Sequence, residues 1–155
     1  MPFNFLQYLL PTLKHVASDS VAINDMTCSR TKASYLLTEC LAVHAHENLI
    51  QELQDAKGFS FLCDKATDNT MRKIFCINVR FVTNGAPKTH LYRLVRVEHG
   101  DAESLFNVLQ ECMDEDKLSW EKVIGYASDG ENLMQGGLNS FLTRLRDKNR
   151  LAYMS

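Results

Sequence analysis

The sequence predicts an α/β fold, in which a mixed sheet of three antiparallel strands and one parallel strand follows a set of N-terminal helices. Residues 59–64 and 75–82 alternate apolar and polar side chains, as half-buried strands do. An Asn-Gly pair at 84–85 predicts a tight turn into a third strand over residues 88–97. A helical pattern then separates these strands from a short apolar run at 122–128, which we interpret as a fourth strand lying parallel to the first.

The N-terminal part of the chain has helical periodicity. Apolar residues over 3–16 are spaced as in a short amphipathic helix that is interrupted or kinked at Pro11. Residues 18–30 are polar and predict a loop. A second helical region covers 31–56, and its two apolar stripes join poorly between His44 and Asn48, which predicts a bend there.

Gly58 is a natural stop for that helical region, because glycine readily adopts the conformation that ends helices. We therefore expect an N-terminal helical segment at residues 1–57 and a partial α/β domain at residues 58–155.

Two further helices complete the predicted α/β domain. Asp101 is placed to cap a helix that begins at Ala102 and buries one apolar face, made of Leu105, Val108, Leu109 and Cys112. A last helix is predicted over 131–148, with a core stripe of Leu138, Phe141, Leu142 and Leu145. Its end is basic from Arg144 to Arg150, which suits a helix C-terminus electrostatically and would also suit a phosphate contact.

The composition restricts the class of protein. A chain of 155 residues with 45% hydrophobic and 23% charged residues is ordinary for a globular domain. The formal charge of −2 provides no global field to attract nucleic acid. We expect no membrane segment, and we interpret the five cysteines as thiols in a reducing compartment rather than as disulfides or metal ligands.

The candidate site consists of two aspartates that follow predicted strands. Asp64 comes after the first strand and Asp129 after the fourth. In an RNase H-like sheet these two strands are parallel neighbours, so the two carboxylates would lie side by side. Adjacent carboxylates repel each other unless a cation lies between them, and hard oxygen ligands suit Mg²⁺ or Mn²⁺. Asp64 and Asp129 are therefore the predicted metal ligands.

The residues around both aspartates resemble motifs of hAT-superfamily transposases and of host proteins derived from them. Asp64 to Asp68, read as DKATD, is similar to the first acidic motif of that family. The segment from Ser128 to Arg146 is similar to the second, with matches at Asp129, Gly130, Met134 and Gly136. The resemblance covers residues 30–155, and Glu131 and Asn132 depart from its pattern.

The resemblance implies that Asp64 and Asp129 are the first two catalytic acids of a DDE triad, which cleaves and joins DNA with two metal ions. The third acid of the family lies further downstream than Ser155, so we expect the chain as it stands to be a truncated or host-adapted, non-catalytic relative. The alternative is a non-enzymatic nuclear protein-interaction domain. Either function implies a nuclear protein, with the cytoplasm as the second option, and DNA contact would come from the basic end at Arg144–Arg150.

The sequence shows no obvious strand after Lys148 to lie beside the fourth strand, since Leu151 to Met154 is too short to be more than a stub. We therefore expect the fourth strand to be an exposed apolar edge, which favours aggregation, self-association or a protein partner.

Overall fold

The computed structural model describes residues 5–67, 72–128, 140–148 and 153–154. The chain divides into two compact units, residues 1–47 and residues 48–155. The boundary expected between residues 57 and 58 stays a prediction.

The first unit is helical, as predicted, but its irregularities lie elsewhere. Helix α1 runs through Pro11 without interruption, and the segment expected to be a loop contains the short helix α2. Ser20 and Ser29 cap α2 and α3, since their hydroxyls accept hydrogen bonds from the N–H groups of Ile23 and Lys32. The elements in order are α1 Phe5–Val16, α2 Val21–Asn24, α3 Arg30–Tyr35, a π-helix Leu36–Leu41 and the start of α4 Ala42–Asp55.

The bend expected between His44 and Asn48 is absent, because α4 is a regular helix from Ala42 to Asp55. The irregular turn is the π-helix that precedes it. Leu49 and Leu53, in the C-terminal half of α4, belong to the core of the second unit.

The second unit contains a mixed sheet in the order β3-β2-β1-β4-β5. The first three strands form an antiparallel meander, and β4 crosses back to lie parallel to β1. This is the arrangement predicted for an RNase H-like sheet, and the prediction is confirmed. The strands are β1 Phe59–Thr67, β2 Lys73–Thr83, β3 Ala86–Val97, β4 Val123–Ser128 and β5 Tyr153–Met154.

A short fifth strand lies where the sequence leaves room for no more than a stub, at Tyr153–Met154. The backbone of β5 pairs in parallel with Gly125 and Tyr126 of β4, so β4 is not a bare edge over its whole length. β5 pairs with only two residues of β4, in keeping with the expected stub. Self-association and a protein partner stay predictions.

The helices of the second unit pack on one face of the sheet. Besides the C-terminal half of α4, these are α5 Ala102–Glu115, a 3₁₀ turn Trp120–Lys122 and α6 Phe141–Lys148. Asp101 caps α5 as predicted, accepting a hydrogen bond of 2.9 Å from the Ser104 N–H. The predicted core stripe of α6 is buried at Phe141, Leu142 and Leu145, while Leu138 lies outside the described residues.

All five cysteines are free thiols, and Cys63 and Cys112 are buried. Within the described ranges no helix is both long and apolar enough to cross a membrane.

The β2–β3 hairpin turns at Asn84 and Gly85, both with positive φ, at 52° and 75°. Gly85→Ala should lower the free energy of unfolding by about 1 kcal/mol. A Cβ in the left-handed region costs about 1–2 kcal/mol, and the reduced entropy of the unfolded chain offsets about 0.4–1 kcal/mol of this. The new methyl group would meet no atom within 4 Å, so the cost is purely conformational.

Gly100→Ala is the matched control, to be measured by urea unfolding beside Gly85→Ala. Gly100 does not have a positive φ, and the atoms nearest to an added Cβ are flexible lysine methylenes at 3.4 and 3.5 Å. The control should change stability by less than about 0.5 kcal/mol. Equal losses at the two glycines would contradict the assignment of strain to the turn.

Candidate metal site at the junction of β1 and β4

Asp64 lies within β1 and not at its end, which corrects the sequence prediction. The strand continues to Thr67, and Asp64 pairs with Cys76 of β2. The pairing of β1 with β4 ends one residue earlier, where Cys63 pairs with Ser128. Asp64 is therefore the first residue of β1 beyond its pairing with β4. β1 extends past its pairing with β4 because it continues to pair with β2 as far as Thr67. The composition of β1 alone does not predict this extension.

The alternation of side chains along β1 places Asp64 on the face of the sheet opposite the core. Phe59, Phe61 and Cys63 are buried on the helix-covered face, and Asp64 is exposed. Successive side chains of a strand point to opposite faces. Because the apolar side chains of β1 are buried on one face, the Asp64 carboxylate lies on the other face, in contact with solvent. An exposed carboxylate needs no buried counter-charge and remains available to a cation.

Asp129, the second predicted ligand, lies outside the described residues. The structure places its sequence neighbour Ser128 as the last residue of β4, opposite Cys63. Each of these paired residues immediately precedes one of the two aspartates in the sequence. The close approach of the Asp64 and Asp129 carboxylates stays a prediction.

A cleft of about 380 Å³ opens beside Asp64. Asp64 is the one carboxylate among the described residues that line it, which are Leu62, Cys63, Asp64, Asn78, Ala127 and Ser128. The Asn78 side-chain N–H donates to the Cys76 Sγ at 3.6 Å, which leaves the Asn78 amide oxygen as an acceptor. A carboxylate, an amide oxygen and a hydroxyl are the hard oxygen donors that Mg²⁺ and Mn²⁺ accept.

Asn78 was not singled out from the sequence, although a signal was present. It lies in the middle of β2, whose neighbouring residues are mostly β-branched and aromatic, and asparagine is depleted in strands. A polar amide at such a position points to a role on the open face of the sheet. Within the described ranges, no group of three or more His, Cys, Asp or Glu side chains could by itself hold a metal ion.

Cys63 borders the same cleft but does not add a nucleophile. Burial raises the pKa of the Cys63 thiol well above its ordinary value, and the nearby Cys76 raises it further. The thiolate is the reactive form of cysteine, so Cys63 stays an unreactive core thiol at neutral pH.

In the predicted basic end of the last helix, one arginine pairs with another helix and two basic side chains are exposed. Arg144 donates to Glu103 of α5 at 3.1 Å. Arg146 and Lys148 are exposed in the last turn of α6, and Arg150 lies outside the described residues. The contact of this end with DNA stays a prediction.

The strand order and the helix-covered face together define an RNase-like α/β domain. The chain matches the family described as "ZMYM1/FAM200, RNase-like domain" over residues 4–140, and it belongs to that family. The domain of this family is transposase-derived.

Among solved structures, the chain is similar to "YeaZ from Pseudomonas aeruginosa", with 13% sequence identity and a TM-score of 0.33. The match covers 63% of this chain and 42% of the length of that protein.

Proposed function

We propose that this chain is a hAT-type, transposase-derived protein whose second unit carries the first two acids of a DDE metal site, Asp64 and Asp129. The observation that carries the proposal is the parallel pairing of Cys63 with Ser128, the residues that directly precede the two aspartates. Where the pairing of two parallel strands ends, the next residue on each strand would lie near the other, toward the carboxyl ends of the strands, where ligands of α/β sheets bind.

The residues at this edge fit a hard divalent cation. Asp64 would bind it through its carboxylate, Asp129 would supply the second carboxylate, and Asn78 and Ser128 offer neutral oxygens in the same cleft. When bound, such a cation supplies charge stabilisation to the attacking and leaving oxygens of a phosphodiester. The exposure of Asp64 keeps the carboxylate accessible to a phosphodiester on the open face of the sheet.

Two carboxylates are a minimal ligand set, so we propose that the 155-residue chain binds Mg²⁺ or Mn²⁺ weakly and does not cut DNA by itself. Positioned charges account for most of the catalysis in phosphoryl transfer. An incomplete set of metal ligands should therefore lower the rate of DNA cleavage strongly. DNA as the partner, contact through the basic end at Arg144–Arg150 and location in the nucleus belong to the same proposal.

Mn²⁺ titration of the ¹⁵N-labelled chain tests the metal site. Paramagnetic broadening should begin at Leu62–Lys65, Asn78 and Ser128, and it should spare the hairpin turn at residues 84–85. Asp64→Asn and Asp129→Asn should each weaken binding at least about tenfold, since even residues that only support a metal ligand alter affinity about 10–100-fold.

The matched control for that titration is Asp114→Asn, which removes the same charge from an exposed position at the end of α5. It should leave Mn²⁺ affinity within about twofold, because an exposed charge at a distance is largely screened by salt. Broadening centred on the acidic residues 114–116 instead of on Asp64 would overturn the proposed site.

The absence of cleavage is tested by incubating the chain with Mg²⁺ or Mn²⁺ and a nicked or hairpin DNA. The wild-type chain and Asp64→Asn should give the same background. Cleavage by wild type that disappears in Asp64→Asn would refute the non-catalytic proposal and show that another residue completes the site.

A protein-interaction role is the second candidate, and the exposed apolar residues of the open sheet face favour it. Leu91 and Leu94 of β3 are 56% and 60% exposed. Large apolar side chains grouped on one face are typical of surfaces that contact another protein. Failure of Mn²⁺ to bind near Asp64 would favour this candidate.

A further inference from the structure

A stretch of helix in the first unit exposes apolar side chains on every side. α3, the π-helix and α4 follow one another without a break, and all residues from 35 to 45 within them are exposed. Eleven successive residues make about three helical turns, so the exposure extends around the whole helix. We call this stretch the exposed helix. Its apolar residues are Tyr35, Leu36, Leu37, Cys40, Leu41, Ala42, Val43 and Ala45.

The large apolar side chains of the exposed helix are more exposed than those of an ordinary surface helix. Tyr35 and Leu41 are 64% and 59% exposed, and Leu36, Leu37 and Val43 are exposed as well. A helix that is hydrophobic all round is normally buried, and a continuous apolar patch is typical of a surface that contacts another protein. The amphipathic helix α5 of the same chain buries its apolar face instead.

The π-helix lies within the exposed helix. It spans Leu36–Leu41, and none of its residues is buried. π-helices are rare, most of them are a single turn, and they occur frequently at functional sites. Because all of its residues are exposed, the irregular turn does not serve to fit side chains into a core. Its position indicates that this turn belongs to a binding surface.

One side of the exposed helix combines apolar side chains. Leu37 and Leu41 lie four residues apart and share one side of the helix, and Leu36 and Cys40 lie beside them. Glu39, the carboxylate of this stretch, is two residues from both Leu37 and Leu41 and therefore lies on the opposite side. Residues 35–45 include no lysine or arginine, so they offer no contact to a phosphate backbone.

The charges at the two ends of the exposed helix are complementary. Arg30 and Lys32 precede it and Glu47 follows it, and all three are exposed. The Lys32 ammonium donates to the neutral carbonyl of Thr27 at 3.2 Å, and that contact does not neutralise its charge. When two such helices pack antiparallel, the basic end of each lies beside the acidic end of the other. Opposite charges at flanking positions set the orientation of paired helices.

We propose that two copies of this chain associate through the exposed helix, packed antiparallel about a two-fold axis. A two-fold interface uses the same surface of both copies, so that surface must be complementary to itself. An apolar side with opposite charges at its two ends meets this condition. Pairing Lys32 with Glu47 places the axis midway between them in the sequence, next to Cys40, so the two Cys40 thiols lie close together. The association does not depend on the proposed metal site.

Sedimentation equilibrium of the full 155-residue chain over a range of protein concentrations tests the association. The wild-type chain should follow a monomer–dimer equilibrium. Leu37→Glu/Leu41→Glu should weaken dimerisation at least about tenfold, because it places unpaired carboxylates in the apolar interface. A wild-type chain that stays monomeric would overturn the proposal and leave a different protein as the partner of the exposed helix.

The matched control is Leu91→Glu/Leu94→Glu, which makes the same change at two exposed leucines of β3. It should leave the dissociation constant of the dimer within about twofold, because salt screens exposed charges outside the interface. Circular dichroism melting of each variant confirms that it folds. Dissociation of the dimer by the β3 variant and not by the helix variant would move the interface to the open face of the sheet and overturn the proposal.

Charge reversal tests the antiparallel packing. Lys32→Glu and Glu47→Lys should each weaken dimerisation about fivefold, since the two-fold axis repeats each exposed ion pair and the reversal turns both pairs into repulsions. The double variant Lys32→Glu/Glu47→Lys should restore the dissociation constant to within about twofold of wild type. Unchanged dissociation constants in both single variants would contradict the antiparallel packing.

Cys40 provides a second measurement, at the axis of the dimer. A short bismaleimide, which joins two thiols by adding each of them to a maleimide double bond, should link two wild-type chains. Cys40→Ser should remove the linked dimer, whereas Cys28→Ser, at a partly exposed cysteine of the same unit, should retain it. A linked dimer that persists in Cys40→Ser would place the axis elsewhere and refute the proposed pairing.

Discussion

Phe141→Ala is expected to lower the free energy of unfolding by about 3–5 kcal/mol, the usual cost of removing a buried phenyl group. Phe141 is fully buried, and its ring lies 5.2 Å from that of Tyr126, 5.8 Å from Phe75 and 6.0 Å from Phe106. It thus joins α6 to β2, β4 and α5 at once. Few small domains are stable by more than about 15 kcal/mol, so the loss should be large in relative terms.

Chemical unfolding followed by Trp120 fluorescence measures this loss. Trp120 is the single tryptophan of the chain, and its ring stacks on Phe106 at 5.9 Å, so it reports on the same aromatic layer. Leu94→Ala is the control, because Leu94 is 60% exposed and should cost less than about 0.5 kcal/mol. A loss below about 1 kcal/mol for Phe141→Ala would show that α6 is not anchored through this residue.

The second large effect is expected at Asp116, directly after α5. Its carboxylate accepts hydrogen bonds from the Tyr92 hydroxyl at 2.7 Å and from the Arg93 guanidinium at 2.9 and 3.0 Å. Asp116→Ala removes the shared partner of two side chains on β3 and should cost about 2 kcal/mol. This loss of stability is smaller than for a fully buried ion pair, because the Arg93 side chain is 30% exposed and solvent screens its charge.

A double-mutant cycle with Tyr92→Phe and Asp116→Ala isolates the hydrogen bond from the Tyr92 hydroxyl to the Asp116 carboxylate. Residues that share one hydrogen-bond network usually couple by about 0.5–3 kcal/mol. Tyr35→Phe removes an exposed hydroxyl from the first unit and is the control. Additive effects of the two substitutions on the free energy of unfolding would show that the hydrogen bond between Tyr92 and Asp116 does not stabilise the fold.

The contact between Tyr92 and Asp116 also predicts how the free energy of unfolding changes at alkaline pH. Burial raises the pKa of Tyr92 above its ordinary value of 10.0, and the hydrogen bond and charge of Asp116 raise it further. A raised pKa favours the folded state while the hydroxyl is neutral, so this contribution is complete below pH 10 and is lost as the pH rises above it. Burial also raises the pKa of Cys63 and Cys112 above 9.0, so the total loss should begin near pH 9.

Urea unfolding at pH 7, 9, 10 and 11 measures this dependence. Tyr92→Phe should be less stable than wild type at pH 7 and should lose less stability between pH 10 and 11. A parallel decline of the two proteins over that interval would exclude Tyr92 as the titrating group.

Local patterns identified the fold correctly where one segment determined the outcome. The Asn84-Gly85 turn was predicted because few residue pairs other than Asn-Gly adopt two successive positive φ angles easily. The cap of α5 at Asp101 was predicted for a similarly local reason. The strand order followed from chain order together with the right-handed crossover rule, which needs no knowledge of side-chain contacts.

The candidate site was predicted only in part. Asp64 was identified because it is an acidic residue at the predicted end of an alternating strand, but its place at the end of β1 was wrong, since the pairing with β2 extends the strand to Thr67. Asn78 was missed because it belongs to β2, and only the register of β1 and β2 brings it to the same cleft as Asp64.

The sequence by itself therefore determined most of the strands and the longer helices, where the hairpin turns, and that an acid follows the buried part of β1. These properties depend on backbone conformation and side-chain periodicity over a few neighbouring residues. The tertiary structure alone decided that Cys63 lies opposite Ser128, that β5 covers part of β4, and that Asn78 shares a cleft with Asp64. These contacts join residues distant in sequence, and their register is set by how the two faces of the sheet pack.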